Sequence, residues 1–61
     1  MDRTIARVER LGHASQLADV PREENPYQKL AEEFPANDRA RVLADAWWQG
    51  WDEAALLRHE R

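Results

Sequence analysis

The chain has only two glycines, Gly12 and Gly50, and both fall inside apolar stripes of helical period. A glycine costs about 1 kcal/mol against alanine inside a helix, so each position needs a reason. Close approach of a second helix backbone is the reason this placement offers. It points to two helices that touch at small residues.

The first stripe is Ile5, Val8, Leu11, Gly12, Ser15 and Ala18, which predicts a helix from about Arg3 to about Ala18. Asp19-Val20-Pro21 should end it, because proline disfavours helical geometry in the residue before it. The second stripe is Val42 or Leu43, then Ala46, Trp47, Gly50, Trp51, Ala54 and Leu57. It predicts a helix from about Asp38 to about Arg58, with Asn37 as its cap and Arg58, His59 and Arg61 near its favourable C-terminal end.

Between them, Pro21 to Glu24 reads as a linker and Asn25-Pro26-Tyr27-Gln28 as a helix start. Asn25 suits an N-cap and Pro26 the first helical position, while Gln28 can reach back to the Asn25 amide. The short helix so begun, about 26–33, carries Tyr27, Leu30, Ala31 and Phe34 on one side, and Pro35 stops it. No run has the alternation of a strand. The expected fold is all-α, a single small helical domain over 1–61: two longer helices in an antiparallel hairpin with a short helix in the connection.

Length bounds the function. For 61 residues, burial of about 60% of the unfolded surface contributes on the order of 90 kcal/mol, and ordering the chain costs about the same. Such a domain is marginal alone and gains from a partner or a second copy. It is too small to enclose a drug-sized ligand in a pocket of about 300–1,000 Å³. There is no cysteine, hence no disulfide framework and no thiolate zinc site. No apolar run approaches the roughly 20 residues that span a bilayer, and no signal-peptide pattern follows Met1. A cytoplasmic location is expected.

The charged residues give little chemistry. Glu23-Glu24, Glu32-Glu33 and Asp52-Glu53 are adjacent pairs, which do not face each other on a helix. His13 and His59 have no carboxylate cluster beside them, and in an antiparallel hairpin they lie far apart. No phosphate loop or nucleophile elbow is present. The chain is expected to be no enzyme and to take no cofactor or metal.

Three features remain. Arg3, Arg7 and Arg10 share a helix face, and arginine forks suit phosphate or carboxylate; the plainer reading is a solvated face paired with Asp2 or Glu9. Trp47 and Trp51, spaced i,i+4 beside Gly50, should supply most of the core. Trp48 sits about 100° around the helix, near Arg41, Asp45 and Asp52. It is either an anchor at a partner surface or a cover for the short helix or a dimer seam.

The run Gly12-x4-Leu17-Ala18-x3-Arg22-Glu23-x-Asn25-Pro26-Tyr27-Gln28, followed by Trp47-x2-Gly50-Trp51-x-Glu53-Ala54, resembles the ribosome modulation factor family, which includes CrpP-like proteins. In that pattern Gly12, Asn25, Pro26, Tyr27, Trp47, Gly50 and Trp51 are the motif residues. The resemblance implies a small helical protein that binds the small ribosomal subunit and its RNA, promoting ribosome hibernation and translation inhibition. Residues 32–41 are an addition to the pattern, and the net charge of -3 contrasts with that family's basic members.

Two readings therefore stand. One is a ribosome-associated factor using Arg3, Arg7, Arg10, Lys29 and Arg39 on RNA phosphate. The other is a small acidic protein-binding module, such as a phage or mobile-element inhibitor. It would set Trp48 with Asp45, Asp52 and Glu53 on a basic partner surface. A homodimer is a third possibility.

Overall fold

The computed structural model describes residues 3–59; Asp2 and Arg61, named above, lie outside them. Among the described residues there are three α-helices and no strand. They are α1 (Arg3–Leu17), α2 (Pro26–Glu33) and α3 (Asp38–His59), with a single 3-10 turn over Arg22–Glu24 in the expected linker.

Each boundary has a local cause. α1 ends through a left-handed residue: Asp19 has φ 63°. Its N–H donates to the Gln16 carbonyl at 3.1 Å, and the Val20 N–H reaches back to Ser15 at 2.9 Å. That pair of bonds is a Schellman closure. Asn25 caps α2, its Oδ1 accepting from the Tyr27 and Gln28 amides, with Pro26 in the first turn. The Gln28 side chain does not complete a capping box as expected. Its Nε2 donates instead to Glu32 Oε1 at 3.4 Å, one turn along the helix. Asn37 Oδ1 accepts from the Ala40 amide and caps α3.

The two long helices pack directly on each other, and the glycines are where they touch. A Cβ on Gly12 would stand 2.8 Å from the carbonyl carbon of Trp47, and one on Gly50 would stand 2.7 Å from that of Glu9. Each glycine thus rests on a carbonyl three residues before the other glycine. Gly12 and Gly50 are both buried.

The sense of the pair differs from the expected antiparallel hairpin. Val8 packs with Ala46 and Trp47. Nearer the C-terminus of α1, Leu17 lies with Ala54 and Leu57, and Arg58 donates to the Gln16 carbonyl at 3.1 Å. Both contacts advance together along the two helices, so α1 and α3 run the same way. A stripe of helical period carries no direction, which is why the sequence leaves it open. The return is made by residues 18–37. α2 runs back along α3, with Asn25 against Ala44 and Glu32 near Arg41.

The core is Val8, Ala46 and Trp47, closed by Ile5, Val20, Tyr27, Leu43, Trp48 and Trp51. Trp47 is only 2% exposed. Of the residues expected in the stripes, Leu11, Ala18 and Leu57 are exposed, Leu11 at 52% and Leu57 at 51%, and of the alternatives Val42 and Leu43 it is Leu43 that packs on the core. Beneath α2 the buried positions are Ala40 and Ala44, small enough to let it sit close. Phe34 and Leu30, expected with Tyr27 and Ala31 on one side of α2, are exposed, while Tyr27 packs on the core.

Candidate functional site

Arg3, Arg7 and Arg10 lie at i, i+4 and i+7 on α1, within a 60° arc and a rise of about 10 Å. All three are exposed, and Ala6 lies among them in a shallow cleft. None forms an ion pair with another described residue. Glu9, considered above as their partner, turns instead into the seam between α1 and α3. The face therefore presents three exposed arginines.

The other candidate cations are placed differently. Lys29 is exposed on α2 and pairs with Glu24 at 3.5 Å. Arg39 is exposed in the first turn of α3. The shared sense of the long helices sets it at the same end of the molecule as Arg3. An antiparallel hairpin would have set it at the opposite end.

Trp48 is held rather than free. Its Nε1 donates to the Arg22 carbonyl at 3.0 Å, and the Arg22 guanidinium stands 5.0 Å from its ring centroid. Arg22 in turn grips Asp52, Nε to Oδ1 at 2.9 Å and Nη2 to Oδ2 at 3.2 Å. The hydrogen bonds that Arg22 donates to Asp52 raise its pKa above the ordinary arginine value. Trp51 repeats the device, donating to the Val20 carbonyl at 2.8 Å. Two indoles one helical turn apart thus bind two carbonyls of one connecting strand of backbone. Arg22 was visible in the motif, but its clasp on Trp48 and Asp52 was not, since the pairing spans α3 and the linker.

The expected acidic face is divided. Asp52 is engaged by Arg22. Asp45 borders a groove of about 420 Å³ between α2 and α3, with Trp48, Arg41 and Gln28. Glu53 borders a separate groove on the α1–α3 seam, with Glu9.

The motif residues Gly12, Asn25, Pro26, Tyr27, Trp47, Gly50 and Trp51 all serve the fold: close contact, capping and core. Asn25 does more than the sequence suggested. It is fully buried, and its Nδ2 also donates to the Ala44 carbonyl at 2.9 Å, tying α2 to α3.

His13 lines the C-terminal half of the seam beside Leu17, Ala54 and Arg58, because the long helices share their sense. Among the described residues no group of three or more His, Cys, Asp or Glu side chains is placed to hold a metal ion. No described helix is long and apolar enough to cross a membrane. No protein-family model, curated protein or solved structure matches the chain.

Proposed function

We propose that this chain is a non-enzymatic ribosome-associated factor of the ribosome modulation type. In this reading it binds the small ribosomal subunit through RNA phosphate and restrains translation in resting cells. The observation that carries the reading is the exposed row Arg3, Arg7 and Arg10, with no ion pair to a carboxylate among the described residues, in a chain of net charge -3. Phosphate contacts dominate the affinity of proteins for nucleic acid, and they depend on where the cations sit rather than on net charge. The core motif residues support the family's fold in this reading, and the arginines support its binding mode.

The alternative, an acidic module anchored by Trp48 on a basic protein surface, has less to draw on. The Trp48 N–H and one face of its ring are already used by Arg22.

Sedimentation of a tagged copy through a sucrose gradient tests the proposal. The tagged protein is expected in the small-subunit and ribosome-dimer fractions of stationary-phase extract. Its confinement to the top of the gradient would exclude a ribosomal role. A pull-down repeated with Trp48→Ala tests the alternative, which requires partner recovery to fall.

A further inference from the structure

The α1–α3 seam has two sides, and only one is covered. On one, the connection from Ala18 to Asn25 is pinned down by the Trp51 and Trp48 indoles. The other is a groove of about 560 Å³ with Gly50 at its floor, bordered by Ala6, Glu9, Arg10, His13, Ala14, Leu17 and Glu53. It runs on into a second cleft of about 360 Å³, which shares His13 and Leu17 and adds Ala54, Leu57 and Arg58.

We propose that this bare side is the interface of a two-fold homodimer. Three observations favour a second copy of the chain as the occupant. The first is surface. The chain exposes 4664 Å², against roughly 4,100 Å² expected at this mass, and it is only 14 Å thick in its shortest dimension. A slab of that shape, 40 Å by 27 Å across, has room for the roughly 800 Å² per partner of a stable interface.

The second is the relief of the face. Ala6, Arg10, Ala14 and Leu17 are spaced four, four and three, a continuous stripe about 16 Å long. Alanines leave room for a facing helix, while Leu17 and Leu57 stand 55% and 51% exposed beside them.

The third is charge. The groove carries Glu53 together with Arg10, opposite signs on one face that a two-fold axis can pair between copies. A two-fold axis normal to the groove, between the levels of Arg10 and Ala14, sets Arg10 of each copy toward Glu53 of the other, so the dimer occupies Arg10 and the phosphate-binding form proposed above is the monomer. It also lays Leu17 of each copy over the Ala6 end of the other.

Analytical ultracentrifugation without RNA, from about 1 µM to about 1 mM, covers the range of small interfaces. The natural chain should show a monomer–dimer equilibrium. Leu17→Glu and Leu57→Glu should each weaken it at least tenfold with helicity by circular dichroism unchanged, since both side chains are half exposed. Arg10→Glu and Glu53→Arg should each weaken it, and the double exchange should restore it. A monomer at every concentration would overturn the proposal. So would a dimer that all four substitutions leave intact, or a double exchange no better than either single one.

Discussion

Gly12 rests on the backbone of Trp47, so near that any side chain at position 12 would meet the Trp47 carbonyl. Gly50 stands in the same relation to Glu9. Gly12→Ala and Gly50→Ala each gain about 1 kcal/mol of helix propensity but must push two backbones apart. Overpacking against backbone, which cannot rotate away, should outweigh that gain and cost about 1–3 kcal/mol net. Urea denaturation followed by tryptophan fluorescence measures it. An alanine variant more stable than the natural chain would show that the helices do not touch there.

Asn25 makes two kinds of bond from one buried amide: it accepts from the start of α2 and donates to Ala44 of α3. Asn25→Ala should cost about 2–3 kcal/mol, the cap together with the carbonyl left unpaired. Asn25→Asp separates the two roles. It keeps the acceptor but sets a buried carboxylate against a carbonyl, so it should be at least as destabilising as alanine. An aspartate variant of natural stability would mean that the bond to Ala44 contributes nothing.

Asp19 holds a left-handed conformation at the end of α1 without being glycine. Asp19→Gly removes that cost and gives up an exposed 3.4 Å contact to Arg58. The balance favours the variant by about 0.5–1 kcal/mol. A higher thermal midpoint by circular dichroism is the expected result.

Trp48→Phe keeps a ring beneath Arg22 but removes the N–H that reaches the Arg22 carbonyl, and it should cost about 1 kcal/mol. Asp52→Asn breaks a half-exposed ion pair and should cost less than about 1 kcal/mol, with the difference vanishing at high salt. The pH dependence follows from Arg22, whose folded value lies above its unfolded one. Its contribution is fully present below the unfolded arginine value and is lost only as pH rises through the folded one. The Arg22 side of the clasp should therefore be constant across neutral pH and fail only in strong alkali.

Helix positions were legible because their signals are local. Asn25-Pro26 and Asn37 fixed two starts, and the period of three and four fixed the stripes that meet at Gly12 and Gly50. Relative direction was not legible. It depends on how the backbone at Val20 and Arg22 is caught by Trp51 and Trp48, contacts between residues about thirty positions apart. Leu11 and Leu57 fit the period but are exposed, Leu11 because it lies at the margin of its stripe and Leu57 because it lies past the end of α1 at Leu17. Ala40 and Ala44 were passed over because alanine carries little hydrophobic signal, although its small size is what lets α2 lie close. The arginine row was legible as a pattern. That its members are free of Glu9 was settled by the seam that draws Glu9 away.

In the function proposed above, Arg3, Arg7 and Arg10 act together on RNA phosphate. Binding of the purified chain to isolated small ribosomal subunits, measured across a salt series, tests it most directly. Three phosphate contacts predict a slope of log K against log salt of about -2 to -3, with affinity lost in the Arg3→Glu, Arg7→Glu, Arg10→Glu triple variant. Binding indifferent to salt and to the triple substitution would contradict the account, as would no binding at low salt.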